Sequence, residues 1–280
     1  MELDLIQIIS LPFMQRAFIS CFILSIVLGL LGTFIVPRKM AFMADGISHA
    51  SLLGVSVGLI LGILPLLMAV LVAIIMGAIV AALRSNSRIT QDGLIGILLT
   101  GGMSSAIIVF SLTPGFKPEL FSYLFGSILS TTWTEVYILS GFSIFTLILL
   151  KYFWRSLVLS TVHDQLSRVM NLPTRTANYF LFVFTAIALV TGLKLLGIIL
   201  VSALLIIPVI TSNLLTHSLR TSVIVTIIVG LVGSLTGLTI SFILDLPSGP
   251  CIALTLIGMF LLALVSTTVK DLLNPYLTSR

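Results

Sequence analysis

Charged side chains are scarce in this sequence. Asp, Glu, Lys and Arg make up only 8% of its 280 residues, whereas 58% are hydrophobic, and the mean hydropathy is +1.26. Since soluble domains are about a quarter charged, this composition excludes a water-soluble protein. The net charge of +5 comes from basic residues scattered among short loops. They form no run or stripe, so nucleic-acid binding is not expected.

Motifs for cross-linking and for catalysis are also lacking. The two cysteines, Cys21 and Cys251, fall inside apolar stretches, so we expect buried thiols and no disulfide. The chain has no G-x-x-x-x-G-K-[ST] sequence to hold nucleotide phosphates, no H-E-x-x-H motif and no serine-nucleophile motif. An enzyme is therefore not expected. A channel, a secondary transporter and the membrane subunit of a pump remain open.

Long apolar runs are abundant. A bilayer core about 30 Å thick needs roughly 20 apolar residues per helix, and strand-like alternation is absent. We therefore predict an all-α polytopic membrane protein with one transmembrane domain over residues 1–280. About nine helices are predicted, at 15–36, 42–63, 65–83, 92–112, 133–153, 177–193, 197–215, 222–244 and 251–269.

The number of spans depends on residues 177–215. One helix over this stretch would be about 58 Å long, too long for a single crossing, so we divide it near Lys194. Eight spans result instead if a short segment is re-entrant. Eleven of the 14 Lys and Arg residues fall on one side when the amino terminus lies outside, which predicts that orientation.

The stretch "MAFMADGISHASLLG" places two ionisable residues inside the second predicted helix. If that helix starts near Met40, Asp45 lies about 8 Å and His49 about 14 Å into the membrane. Four residues apart, they share one face of the helix. They can form a functional site in a pathway or a hydrogen-bonded pair that locks helix packing. Carboxylate and imidazole also suit a divalent metal, and a two-fold-related copy would double the two ligands to four.

Glycines in the second predicted helix indicate close helix packing, and a proline in the seventh indicates a bend. Gly54, Gly58 and Gly62 recur every four residues and predict a groove for close helix contact, rather than a pore lining. Pro208 lacks a backbone donor and should kink the seventh predicted span.

The loop between spans five and six, "STVHDQLSRVMNLPTRT", contains a short amphipathic pattern. Asp164 is a good N-cap, and Leu166, Val169 and Met170 recur with helical spacing. Asn171 is a plausible stop. The pattern predicts a short helix on the inner face, which either rests in the headgroup layer or docks on another protein.

Four separated blocks carry a family resemblance. The first, "GLLGTFIVPRKMAFMADGISHASLLGVSVG", is similar to the signature of the permease family of ABC importers for zinc and manganese. The blocks "LFSYLFGSIL", "KLLGIILVSALLIIPVITSNLL" and "DLPSGP" resemble later parts of that family in the same order. The sequence is therefore identified as a member of this family, and the resemblance covers most of the chain.

The resemblance implies a homodimeric permease in the bacterial inner (plasma) membrane. Two cytoplasmic ATPase subunits would bind ATP, and an extracytoplasmic metal-binding protein would deliver the ion, which crosses by alternating access. No permanent cofactor is implied, only transported Zn²⁺ or Mn²⁺, with Asp45 and His49 contacting the ion. The inner helix would be the coupling helix on the ATPase, with contributions from Asp164, Gln165, Leu166, Arg168, Val169, Met170 and Asn171.

Two points distinguish this chain within the resemblance. "SHASLLG" is closer to zinc permeases than the SHAVLPG common in manganese members, so zinc is preferred over manganese or iron. The family often has Ala at Ser167 and Gly at Asn171, although Asn tolerates the left-handed conformation of a helix stop. A self-sufficient transporter or channel, in which Asp45 and His49 relay protons, stays as the alternative.

Overall fold

The structure, a computed structural model, describes residues 10–83, 90–112, 126, 128–162 and 170–273. Within these ranges it is helical and has no strand. The predicted all-α polytopic class is confirmed, since eight helices are long and apolar enough to cross a membrane. They are α1 (Pro12–Ile35), α2 (Met43–Leu61), α3 (Pro65–Leu83), α4 (Gln91–Ser111), α5 (Trp133–Val162), α6 (Thr174–Leu215), α7 (Leu219–Leu244) and α8 (Ser248–Leu273).

Most predicted spans agree with these helices to within a few residues, and α5 is the exception. It runs nine residues beyond the predicted end at position 153. Two basic residues near the predicted end, Lys151 and Arg155, are exposed within the helix. Basic side chains mark a membrane interface but do not stop a helix, because their charged ends reach water while the backbone hydrogen bonds continue.

The helix α6 consists of two segments. Gly197 has φ 79° and ψ 166°, a non-helical conformation almost restricted to glycine. A Cβ atom on Gly192 would lie 3.0 Å from Val201 Cγ2, whereas residues nine apart in one helix are about 13 Å apart along its axis. The segments 174–196, here α6a, and 198–215, here α6b, therefore fold back on each other.

The fold-back at Gly197 divides residues 177–215 into two helical segments, as the sequence predicts. The count of eight helices becomes nine helical segments when α6a and α6b are counted separately. The break lies at Gly197 and not at the predicted Lys194, which remains helical and forms an ion pair with Glu135 at the start of α5. A partly exposed lysine can stay in the helix, because its charged end reaches water and Glu135 while the backbone hydrogen bonds continue, whereas the conformation at the break is almost restricted to glycine.

The hairpin turn is closely packed. Gly126, at φ 72°, approaches it so closely that a Cβ atom there would lie 2.3 Å from the backbone nitrogen of Gly197. The α6 segments also form much of the buried core, with α1 and α2 beside them. Gly32 of α1 lies against the backbone of α6b, where a Cβ atom would be 2.2 Å from Leu205 O. α6b is thus held in close contact with α1.

Pro208, where the sequence predicts a kink, lies within α6b, and the kink stays a prediction. The non-helical dihedrals inside α6 occur at Gly197. The side chain of Pro208 is buried, and its Cγ would be 3.7 Å from a Cβ atom on Gly230 of α7. A helix tolerates the missing backbone donor when neighbouring helices pack against the proline, so the sequence signal for the break is Gly197.

Candidate metal site

The stretch that carries the two ionisable residues begins with a tight turn. Lys39 adopts a left-handed conformation with φ 59°, and the backbone N–H of Met43 donates to Met40 O. α2 therefore begins at Met43, one residue after the predicted bound at 42 and three residues after Met40, from which the depths in the membrane were counted. Asp45 is in its first turn and His49 in its second, about 3 Å and 9 Å along the helix axis from its start. A carboxylate in the first turn is stabilised by the positive end of the helix dipole.

Asp45 makes one hydrogen bond across the fold. The Ser202 hydroxyl of α6b donates to Asp45 Oδ1 at 2.5 Å. Asp45 is partly exposed, whereas Ser202 is buried. A hydrogen bond to an ionised acceptor is shorter and stronger than one between neutral groups, so this contact fixes the carboxylate relative to α6b.

His49 lacks such a partner. Its ring nitrogen Nδ1 is buried and makes no hydrogen bond to any described residue, although His49 as a whole is partly exposed. Leaving a buried polar atom unpaired costs about 1–3 kcal/mol, and such an atom needs an explanation. An imidazole nitrogen is also a metal donor, so an unpaired one beside a carboxylate is a candidate ligand.

The remaining faces of α2 pack against its neighbours. A Cβ atom on Gly46 would lie 3.2 Å from Ile95 Cγ2, and Gly102 of α4 lies against Ala50. Asp45 lies on a different face of α2, where it contacts α6b. Within the described ranges, no group of three His, Cys, Asp or Glu side chains could hold a metal ion. The described part of one chain therefore contains no complete metal site built from these residue types.

Two of the three predicted small-residue positions lie in a helix contact. Cβ atoms on Gly54 and Gly58 would lie 2.5 Å from Met68 O and 2.8 Å from Pro65 Cα of α3. Gly62 differs, because no atom lies within 4 Å of its Cβ position. It follows the last turn of α2 with φ 67° and ends the helix. The four-residue repeat predicted packing there, but Gly62 provides a left-handed stop.

The predicted coupling helix falls largely outside the described part of the chain. This applies to Asp164, Gln165, Leu166, Arg168 and Val169. Met170 and Asn171 are described and exposed. Asn171 has φ 51°, the left-handed conformation that its predicted role as a helix stop requires.

Arg38 is a buried residue whose contacts the sequence analysis missed. It is 6% exposed. Its guanidinium donates to Thr161 Oγ1 and Ser160 Oγ near the end of α5 and to Asn178 Oδ1 near the start of α6. The sequence analysis used basic residues such as Arg38 only to orient the chain in the membrane. No local sequence signal identified its partners, which lie up to 140 residues away along the chain.

Comparison with known proteins gives consistent matches over most of the chain. Residues 10–267 match the ABC 3 transport family. The chain is 31% identical to the manganese transport system membrane protein MntC of Halalkalibacterium halodurans, which covers 96% of this chain and 92% of the relative. It is 30% identical to the high-affinity zinc uptake system membrane protein ZnuB of Haemophilus influenzae, over 89% of this chain and 95% of the relative.

A solved structure has the same architecture. The structure described as PsaBC from Streptococcus pneumoniae in complex with Fab matches with a TM-score of 0.79 at 31% sequence identity. The match covers 91% of this chain and 91% of the other. The likeness therefore extends over nearly the whole length of both chains.

Proposed function

This chain belongs to the ABC 3 transport family, and we propose that it is the membrane-spanning permease subunit of an ATP-driven importer of zinc. It is a multi-pass protein of the bacterial inner membrane and a relative of metal-transport permeases. Asp45 and His49 bind the transported ion in the pathway. The ion is cargo, and the chain needs no resident cofactor to bind it.

One observation carries this proposal, the unpaired Nδ1 of His49 one turn from Asp45. If the pair only locked the helix packing, both side chains would be expected to make hydrogen bonds to each other or to neighbouring helices. Asp45 has such a bond through Ser202, but the buried imidazole nitrogen has none. A cation that accepts the lone pair of this nitrogen would satisfy it, provided that the imidazole is neutral.

The number of ligands supports a dimer. A tetrahedral zinc site takes four ligands, whereas the described part of one chain contains no group of even three candidate ligands, and the proposed site has only Asp45 and His49. Two copies related by a two-fold axis along the pathway would provide two carboxylates and two imidazoles. We therefore expect a homodimer in which the ion is held between the two copies of α2.

We propose zinc as the cargo because the sequence around His49 is closer to that of zinc permeases. "SHASLLG" resembles zinc permeases, whereas one relative is named for manganese and another for zinc. Nitrogen and oxygen donors suit both ions, and the order of affinities favours zinc over manganese at such a site. Manganese or iron import by the same route is the competing assignment.

The energy for transport comes from partners. Two cytoplasmic ATPase subunits, docked through the segment that includes Met170 and Asn171, would drive the permease between outward-open and inward-open states. An extracytoplasmic metal-binding protein would supply the ion. In both states the negative charge of Asp45 and the lone pair of His49 would hold the ion.

Substitution of the two ligands tests the proposal. We expect Asp45→Ala and His49→Ala each to abolish ⁶⁵Zn²⁺ uptake in cells that lack other zinc importers, because each removes a ligand. Their membrane levels and co-purification with the ATPase should equal those of the wild type. Ser51→Ala is the matched control, because its buried hydroxyl bonds only to Ser48 O in the same helix. Wild-type uptake by both ligand variants would contradict the assignment.

Reconstitution separates this function from that of a self-sufficient transporter. In liposomes, the permease alone should carry no zinc flux, and flux should require the ATPase with ATP. Flux through the permease alone, abolished by Asp45→Ala, would instead support a proton-coupled transporter or channel.

A further inference from the structure

The Ser202 hydroxyl donates its hydrogen bond to an unusual partner. Ser and Thr hydroxyls inside helices commonly donate to the carbonyl three or four residues earlier. Thr185, Thr191 and Thr211 of α6 each donate to the carbonyl four residues before them. Ser202, in the same helix, donates to Asp45 Oδ1 of α2 instead. The only carboxylate of the candidate site is therefore bound by a hydroxyl from another helix.

The position of Ser202 is well fixed. The side chain is 7% exposed and lies five residues after the break at Gly197. Three residues further along α6b, Leu205 O would lie 2.2 Å from a Cβ atom on Gly32 of α1. Because α6b is so closely packed, the hydroxyl is a donor with a defined position and not a mobile surface group.

We propose that Ser202 is a positioning residue of the metal site, which holds the Asp45 carboxylate in the orientation that binds the ion. This inference rests on the proposed function of Asp45 and His49. An ionised carboxylate has two oxygens with about four lone-pair directions. The hydroxyl occupies one direction at Oδ1, and the remaining directions are available to the cation.

This hydrogen bond should raise the affinity of the site for the metal ion. A free carboxylate must lose rotamer freedom when it binds an ion, whereas Asp45 has lost much of it already through its bond to Ser202. Groups that orient metal ligands in this way typically change metal affinity by about 10–100-fold. The bond also makes ligand orientation depend on the relative position of α2 and α6b, so metal affinity is linked to the packing of these two helices.

The test is the Zn²⁺ affinity of the purified complex, measured by competition with a chromogenic chelator. We expect Ser202→Ala to weaken binding about 10–100-fold. Ser202→Thr, which keeps a hydroxyl, should restore most of the affinity. Ser51→Ala is again the control, since it removes a buried hydroxyl from α2 that has no contact with Asp45. With Co²⁺ as a second probe, Ser202→Ala should alter the visible absorption bands and Ser51→Ala should not.

Double substitution shows whether Ser202 acts through Asp45. In an Asp45→Asn background, with residual binding measured at higher Zn²⁺, Ser202→Ala should have little further effect. In a His49→Gln background it should keep its full effect. An equal loss of affinity in both backgrounds would identify a general structural role and overturn the inference, as would wild-type affinity of Ser202→Ala.

The same measurements separate failure of the inference from failure of the proposed function. If Asp45→Ala and His49→Ala bind Zn²⁺ as the wild type does, the site itself is misassigned. If both lose binding while Ser202→Ala retains it, the site stands and only the role of Ser202 is wrong.

Discussion

At the scale of single residues, the candidate site combines a bound carboxylate with an unpaired imidazole. Asp45 already has a protein partner, and its negative charge provides most of the electrostatic attraction for a divalent cation. His49 provides a lone pair on a buried nitrogen that is without a protein partner. In the proposed site the two residues would therefore contribute differently, since Asp45 would compensate charge and His49 would supply a directed donor that favours transition metals over Ca²⁺ or Mg²⁺.

At the scale of elements, α2 is positioned by a turn that is itself bound to other helices. Arg38 precedes this turn and connects it to the end of α5 and the start of α6. The residues between these two helix ends include the predicted coupling segment. The start of α2 and the helices that flank that segment are thus linked through one buried guanidinium, whose fork of donors binds several acceptors at once.

Loss of Arg38 should therefore be costly. Arg38→Ala leaves the buried acceptor Ser160 and the half-buried acceptor Thr161 without this donor, and we expect the free energy of unfolding to fall by about 2–4 kcal/mol. The measurement is unfolding of the purified protein in detergent micelles. Arg155→Ala is the control. Arg155 is an exposed basic residue of α5, the helix that Arg38 contacts, so its substitution should change stability little. Equal stability of the two variants would contradict this role of Arg38.

The contact between α2 and α3 depends on the absence of a side chain at Gly54. A Cβ atom there would lie 2.5 Å from Met68 O and 2.6 Å from Ala69 Cα, so the helices must separate to admit it. Gly54→Ala should lower stability by about 1–3 kcal/mol in the same unfolding assay. Gly101→Ala is the matched control, since its Cβ position in α4 has no atom within 4 Å. If Gly101→Ala proved as harmful as Gly54→Ala, close packing would not be the cause.

At the scale of the whole molecule, the length of apolar runs was enough to predict the spans. Bilayer thickness fixes helix length, so α3 was predicted with the bounds it has. The need for two spans in 177–215 also followed from length alone. Its break at Gly197 did not, because the break depends on a backbone conformation that Gly126 and the returning segment select by close packing.

Asp45 and His49 could be selected from the sequence because ionisable residues are rare among apolar ones. Ser202 and Arg38 could not, because their roles depend on partners 157 and up to 140 residues away along the chain. Serine is common in membrane helices and usually bonds its own backbone. Arginine near a helix end is usually explained by membrane orientation. Only the tertiary structure shows which of these residues contact other helices.

The central claim is that Asp45 and His49 of two permease copies hold the transported ion. X-ray absorption at the zinc edge of the Zn²⁺-loaded complex tests it most directly. We predict one zinc ion per two permease chains and a shell that includes imidazole nitrogen at about 2.0–2.1 Å. That imidazole contribution should disappear in His49→Ala. An unchanged nitrogen shell and unchanged zinc content in His49→Ala would contradict the claim.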